Sequence, residues 1–152
     1  MDAASLSLKE VHMRPSGGQY AFARSSEFPA EWWHLGYGDS EEGHCVSAWR
    51  DGVEVARCKF ALYADSPYES AYGPMPDGQL DILALEVAVS ARRIGVGRAF
   101  LLALRDMYPA PAFTALNDDN ESRKFWDAVG WRRYDSRDPM GFEAERANYS
   151  EV

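Results

Sequence analysis

Cysteine and histidine are scarce in this chain, which has two cysteines and three histidines among 152 residues. Their positions show none of the spacings by which small domains hold zinc or another metal. We therefore expect no metal site. The scarcity of cysteine also gives no sign of a disulfide framework, so both thiols, Cys45 and Cys58, are expected to be reduced.

Long apolar runs are lacking as well. The longest, AFLLAL at 99–104, is far too short to cross a bilayer. The opening MDAASLSLKE has neither the basic segment nor the apolar stretch of a signal peptide. These absences predict a cytoplasmic protein with no membrane partner.

Basic residues are in the minority, with 16 Lys and Arg against 24 Asp and Glu, a net charge of −8. Nucleic-acid surfaces carry an excess of positive charge, so we expect no nucleic-acid partner. An acidic surface suits a cationic or amine-bearing small partner. Hydrophobic residues make up 46% of the chain, and no repeat or boundary interrupts it. These features predict one folded domain over 1–152.

Hydrophobic patterning predicts strands at 5–13, in a hairpin around 44–62, and at 79–90, 112–116 and near the end of the chain. Helices are predicted over about 95–107 and over DDNESRKFWDAVG, with a short helix in SSEFPAEWWHLG. Helices alternate with strands late in the chain, so at least one strand pair should be parallel. The predicted class is α/β (α+β), with a mixed sheet of about six to seven strands flanked by helices.

The hairpin prediction is specific enough to give a register. Asp51-Gly52 suits a two-residue turn in which both residues have positive φ. Facing residues then place Cys45 opposite Cys58, and the two thiols are expected to be neighbours on one sheet face.

The stretch ARRIGVGRAF, residues 91–100, joins the buried strand 79–90 to the following helix. Its glycines would let an anion approach the unpaired N–H groups of the helix start, where the helix dipole is positive. The pattern therefore predicts a pyrophosphate cradle. Glycines at this spacing can also serve close strand–helix packing, and that alternative stays open. A Rossmann fingerprint fits poorly because its third position is Phe100, and no Gly-Lys-Ser/Thr of a P-loop follows.

A wider pattern resembles the GNAT superfamily of acyl-CoA-dependent N-acyltransferases. LEVAVSARRIGVGRAFLLAL is similar to that family's cofactor motif, with Val89 where proline is usual. NDDNESRKFWDAVGW is similar to its second motif. The resemblance covers roughly residues 79–135 and implies a GNAT-like fold with acetyl-CoA as co-substrate. The resemblance implies that pantetheine pairs with the main chain at Val87 and Val89 and that the pyrophosphate lies on the amides of 93–98. The cofactor-binding residues that it implies are, in all, Val87, Ala88, Val89, Arg92, Arg93, Ile94, Gly95, Val96, Gly97, Arg98, Asn120 and Trp126.

The resemblance also implies catalytic positions. A family acidic residue aligns with Asp81, the first candidate for the base that takes a proton from the amine; Glu86 on the same strand is the second. The Val87 N–H could stabilise the oxyanion. The family's usual tyrosine acid aligns with Trp126, which cannot supply a proton, so Tyr134 is a substitute candidate. Trp126 could pack on pantetheine or simply in the core.

The acceptor is expected to meet the aromatic residues Trp32, Trp33 and Tyr72, whose rings with nearby acids could bind a cation. The predicted function is direct acetyl transfer to a primary amine of a small molecule or peptide. Two alternatives stay open: a catalytically silent acyl-CoA-binding sensor or interaction module, and a nucleotide-binding domain that only mimics the motif. A final hairpin exposed at the sheet edge could pair with a second copy in a homodimer.

Overall fold

Seven strands form a mixed β-sheet in the order β1-β2-β3-β4-β5-β7-β6. The computed structural model describes residues 6–11, 22–30, 43–64, 75–117, 120–135 and 147–151. The elements are β1 Ser7–Val11, β2 Gly43–Arg50, β3 Val53–Tyr63, β4 Gln79–Val87, α1 Val96–Met107, β5 Ala112–Asn117, α2 Asn120–Val129, β6 Arg132–Asp135 and β7 Ala147–Ser150. The predicted α/β class with a six- to seven-stranded mixed sheet is confirmed.

The pairing of β4 with β5 is parallel, which confirms the expectation of at least one parallel pair. Its register sets Asp81 beside Thr114. The last strand of the chain, β7, lies between β5 and β6 and is antiparallel to both. The predicted final hairpin is thus present as β6 and β7.

The described chain divides into two compact units, each made from two separate stretches. The first comprises Met1–Phe60 and Ala84–Pro109, and the second comprises Ala61–Leu83 and Ala110–Val152. The single domain over 1–152 stays a prediction.

In the first unit, α1 begins after Gly95, which adopts a left-handed conformation with φ 85°. The helix buries one face, made of Val96, Phe100, Leu101 and Leu104 among others, because apolar residues recur every three or four positions. It ends at Met107, two residues before Pro109, as the sequence predicts.

In the second unit, α2 ends at Val129 and is followed by Gly130, whose φ of 88° is the left-handed conformation that commonly closes a helix. The Gly130 N–H donates to the carbonyls of Trp126 and Asp127 at 3.2 and 3.1 Å. Buried apolar residues of β4 and β5, including Leu80, Ile82 and Phe113, belong to the core of this unit.

The predicted short helix in SSEFPAEWWHLG is wrong for its described part, 25–30, which forms turns. The Ser25 hydroxyl accepts the Glu27 N–H at 3.2 Å, and the Phe28 N–H donates to the Ser25 carbonyl at 3.1 Å. Pro29 disfavours helical geometry in the residue before it. Local side-chain bonding and proline together outweigh the helical pattern here.

The turn of the β2–β3 hairpin is as predicted, with positive φ at Asp51 and Gly52. Beyond the turn, β3 departs from regular alternation. Arg57 Nη2 donates to Glu54 Oε1 at 2.9 Å, although residues three apart in a regular strand lie on opposite faces. A one-residue irregularity of the β-bulge kind therefore lies between Glu54 and Arg57.

This irregularity separates the two cysteines. The Ser47 hydroxyl bonds to Glu54, so Cys45, two residues before Ser47, lies on the Glu54 face. The His44 ring stacks on Phe60 with centroids 5.4 Å apart, which places Cys58, two residues before Phe60, on the other face. The predicted one-face pair is thus wrong, because the bulge shifts the register. Neither described thiol forms a disulfide; burial, and secondly Cys45, raises the pKa of Cys58 well above its usual range.

Candidate functional site

The end of β4 leads into α1 through two tight turns. After Val87 the chain makes a 3-10 turn over Val89–Ala91 and a second turn over 92–95. Arg93 and Gly95 both have positive φ, 65° and 85°. A Cβ atom placed on Gly95 would meet no atom within 4 Å. Glycine is therefore required here by backbone conformation, and the space beside it is open.

The start of α1 carries no side-chain cap among the described residues and no acidic residue in its first turn. The first helical hydrogen bond runs from the Ala99 N–H to the Gly95 carbonyl at 3.0 Å. The N–H groups of the turn over 92–95 thus lie at the positive end of the α1 dipole, and the first turn of α1 has no carboxylate to bind them. Together with the open space at Gly95, this geometry fits an anion such as a pyrophosphate.

Arg92 takes a different place from the one expected of a phosphate ligand. Its Nε donates to the Val87 carbonyl at 3.1 Å, and its Nη2 lies 3.8 Å from Glu86 Oε2. The side chain is half exposed and turns back toward the end of β4. Arg92 therefore holds the turn over 92–95 to the end of β4. Arg93, in this turn, and Arg98, at the start of α1, are exposed.

Val89 is likewise in a turn and not in the strand. Its N–H donates to the Glu27 carbonyl at 3.0 Å, and the Ala88 N–H donates to the Val55 carbonyl at 2.8 Å. The expected pairing of pantetheine with the Val89 N–H does not fit, since that donor is already used. Val87, the last residue of β4, remains as the expected main-chain partner of pantetheine.

Glu27 is an acceptor of this turn that the sequence did not assign. Its Oε2 accepts the Ser90 N–H at 2.8 Å. Hydrogen bonds from the Ser90 backbone and side chain, and then the charge of Arg92, lower the Glu27 pKa. The segment 22–30 is therefore held against 89–90 by an ionised carboxylate as well as by main chain.

Glu86 is the buried carboxylate of the first unit, 5% exposed. Its Oε2 accepts the Ala30 N–H at 2.9 Å. Its Oε1 is buried and has no hydrogen-bond partner among the described residues. Burial raises the Glu86 pKa, against the Ala30 hydrogen bond and the charge of Arg92, which lower it. A buried acceptor oxygen in this position can receive a hydrogen from a ligand.

Arg57 is 1% exposed and lies between two aromatic rings, with its guanidinium carbon 4.1 Å from the Phe28 centroid and 5.0 Å from that of Phe22. It donates to the Ala23 carbonyl at 2.7 Å and to Glu54 at 2.9 Å. Sequence reasoning missed it; the signal was an arginine inside the apolar stretch of β3. Arg57 anchors the segment 22–30 on the sheet, and Ala30 in that segment then meets Glu86.

We expect Arg57→Met to lower the free energy of unfolding by about 3 kcal/mol, since it leaves Glu54 without its buried partner. Urea unfolding measures this loss. Adding Glu54→Gln removes the unpaired carboxylate and should restore part of the lost free energy of unfolding. A loss below about 1 kcal/mol in the single variant, the value of an exposed ion pair, would contradict the anchoring role.

Asp81 belongs to the second unit. Its Oδ1 accepts the Thr114 hydroxyl at 2.7 Å, and Thr114 Oγ1 in turn accepts a hydrogen bond from Gln79 Nε2 at 2.9 Å. Burial raises the Asp81 pKa, while the Thr114 hydrogen bond lowers it. Sequence reasoning missed Thr114 and Gln79; the signal was polar residues in two otherwise apolar strands.

Trp126 is 3% exposed and lies in an aromatic cluster within the second unit. Ring centroids of Phe125 and Trp131 are each 4.8 Å away, and that of Tyr149 is 6.2 Å away. Of the two roles that the sequence left open, this environment favours core packing over contact with pantetheine.

The remaining predicted residues are placed only in part. For Tyr134, in β6, and Asn120, the first residue of α2, the structure describes the backbone alone. Trp32, Trp33 and Tyr72 lie outside the described residues. In the described ranges, no three His, Cys, Asp or Glu side chains come together as a metal site. None of the described helices combines the length and the apolar character needed to span a bilayer.

Neither a protein-family model nor a curated protein sequence matches this chain. Solved structures do match. An acetyltransferase from Thermus thermophilus has a TM-score of 0.55 at 13% identity, over 74% of this chain and 65% of that one, just under two thirds of the neighbour's length. Arabidopsis thaliana Naa50, in complex with the bisubstrate analogue CoA-Ac-MVNAL, has a TM-score of 0.55 at 15% identity, over 97% of this chain and 99% of that one. A bacterial toxin has a TM-score of 0.54 at 13% identity, covering 96% and 90%.

Identities this low establish a fold and leave the activity to be tested. The architecture of the described residues nevertheless agrees with the motif resemblance: a mixed seven-stranded sheet, two helices, and a glycine turn between β4 and α1. The chain has the fold of the GNAT superfamily N-acetyltransferases.

Proposed function

We propose that this protein is an acyltransferase that moves an acetyl group from acetyl-CoA directly to a primary amine of a small molecule or peptide. The observation that carries the proposal is Gly95. It has φ 85° and open space beside it, and it precedes a helix start with no side-chain cap. An anion can approach these amides without meeting a side chain.

The proposed cofactor contacts follow from that turn. Amides from Arg93 to Arg98 hold the pyrophosphate, with the side chains of Arg93 and Arg98 adding positive charge. The Val87 carbonyl, whose second lone pair is left beside the one that Arg92 Nε uses, accepts a hydrogen bond from the pantetheine arm. Arg92 acts indirectly, because it holds the turn to the Val87 carbonyl. Ile94, 52% exposed, and buried Val96 line the same turn.

Acyl transfer requires that the amine lose a proton. Asp81 is the proposed base, since it is partly buried, accepts a hydrogen bond at one oxygen, and has a raised pKa. A raised pKa makes a carboxylate a better proton acceptor near neutral pH. The Val87 N–H is the proposed donor to the oxyanion. Tyr134 stays the candidate acid for the leaving thiolate.

Glu86, whose Oε1 has no partner among the described residues, is the alternative base; it lies five residues from Asp81 on β4 and so on the opposite face, and only one of the two can meet the amine. The other oxygen of Glu86 is fixed by Ala30, which precedes the segment with Trp32 and Trp33. Those rings, with Tyr72, are the proposed walls for a cationic acceptor. The analogue CoA-Ac-MVNAL in Naa50 joins CoA to a peptide sequence and supports a peptide amine as one acceptor class.

Acetyl-CoA incubated with a panel of primary amines tests the proposal through release of CoA thiol and mass spectrometry of the amines. We expect thiol and acetylated amine in equal amounts. CoA binding without thiol release for any amine would favour the alternative, a silent acyl-CoA-binding sensor or interaction module. Binding of NAD in place of CoA would favour the nucleotide-binding alternative. We also propose a cytoplasmic location, which cell fractionation checks, and a homodimer, which light scattering checks.

A further inference from the structure

Three polar side chains of the second unit form a continuous hydrogen-bonded chain. Gln79 and Asp81 are two residues apart on β4 and so lie on one face. Thr114 of β5 is the register partner of Asp81. Gln79 and Thr114 are both buried. The chain runs from Gln79 Nε2 to Thr114 Oγ1 at 2.9 Å, and from Thr114 Oγ1 to Asp81 Oδ1 at 2.7 Å.

The direction of this chain is fixed by how many hydrogens each group has. An amide nitrogen donates only, and a hydroxyl has a single hydrogen to give. Thr114 accepts from Gln79, so its one hydrogen is directed to Asp81 Oδ1. That oxygen must then be unprotonated, and any proton that Asp81 takes up resides on Oδ2.

We propose that Gln79 and Thr114 are positioning residues that hold Asp81 as a proton acceptor and direct proton uptake to its Oδ2. The inference rests on the proposed function, in which the proton comes from the acceptor amine. The proton transfer is balanced: the N–H bond of the ammonium breaks, an O–H bond forms on Oδ2, and the electron pair stays on nitrogen to attack the thioester. No oxidant, reductant or metal is needed.

Among the described residues, no charged side chain shifts the Asp81 pKa. Only burial and the Thr114 hydrogen bond shift its pKa. Glu151, the residue that follows β7, accepts the Phe113 N–H of β5 at 2.8 Å. Asp127 of α2 accepts a hydrogen bond from the Tyr149 hydroxyl at 3.0 Å. Tyr149 is next to Ser150, the register partner of Thr114, so Tyr149 lies on the sheet face opposite to that of Thr114.

Two pairs of variants test the direction of the chain. Thr114→Val removes the donor with little change in shape, and Thr114→Ser restores it. Gln79→Glu replaces a donor by an acceptor and adds a negative charge near Asp81, whereas Gln79→Met removes the donor that orients the Thr114 hydroxyl without adding charge. The readouts are the Asp81 pKa from carbon-13 NMR of its carboxyl group and the pH profile of kcat/KM.

We expect Thr114→Val and Gln79→Glu each to raise the Asp81 pKa and move the acid limb of the profile upward by about one pH unit. Thr114→Ser should stay within about 0.3 unit of the wild type, and Gln79→Met should raise the Asp81 pKa by less than Thr114→Val does, with CoA affinity unchanged in all four. An unmoved pKa in Thr114→Val, or in Gln79→Met if Thr114→Val does not fold, overturns the inference. Absence of turnover with every amine would overturn the proposed function instead, and the NMR readout would still decide on the positioning role.

Discussion

Gly95→Asp is expected to weaken CoA binding by about 2 to 4 kcal/mol, roughly 30- to 1,000-fold in Kd. The new side chain would enter the open space beside the first turn of α1 and place a negative charge where the pyrophosphate is proposed to lie. Charge-assisted hydrogen bonds to the anion would be lost, and like charges would repel. Isothermal titration calorimetry with CoA measures the change.

Gly130→Asp is the matched control for this substitution. Gly130 has φ 88°, close to the 85° of Gly95, and a Cβ there also meets nothing within 4 Å. Both variants therefore bear the same backbone strain and the same added charge. Gly130→Asp should bind CoA as the wild type does. Equal CoA affinities in the two variants would mean that the cradle is elsewhere.

Asp81→Asn is expected to lower kcat/KM by about 100- to 10,000-fold, the usual range for loss of a general base. The deficit should be greatest at low pH. In the wild type, Asp81 accepts a proton from a bound ammonium at any pH above its own raised pKa. The variant depends on amine that has already lost its proton, and that fraction falls tenfold with each unit of pH below the amine pKa. Steady-state rates from about pH 6 to 9 measure the profile.

Glu86→Gln separates the two candidate carboxylates. It keeps the shape of the side chain and should leave the pH profile of kcat/KM close to that of the wild type if Asp81 is the base. The acetyl-CoA affinity should be unchanged in both variants. If the Asp81→Asn profile overlays that of the wild type, Asp81 is not the base, and Glu86 or a water chain takes its place.

The parts of the fold that sequence predicted well have short-range causes. The α1 helix follows from apolar residues at helical spacing and a glycine before it, and the Asp51-Gly52 turn follows from two residues that tolerate positive φ. The predicted glycine turn between β4 and α1 is present for the same reason.

The errors come from hydrogen bonds and ion pairs that the sequence pattern does not report. Residues 25–30 form turns through the Ser25 bonds and Pro29, and bonds to Glu86 and to the 89–90 turn, both distant in sequence, hold them in place. The register of β3 shifts at a bulge next to Arg57, which pairs with Glu54. The roles assigned to Arg92 and Val89 changed because both bond within the protein. No local pattern reports such contacts.

The most direct test of the proposed cofactor site is NMR titration of nitrogen-15-labelled protein with CoA. The largest amide shifts should fall on Arg93 to Arg98 and on Val87, and the same titration of Gly95→Asp should leave those amides unmoved. Shifts concentrated elsewhere in the chain, or equal shifts at these amides with NAD, would contradict a CoA site at the start of α1.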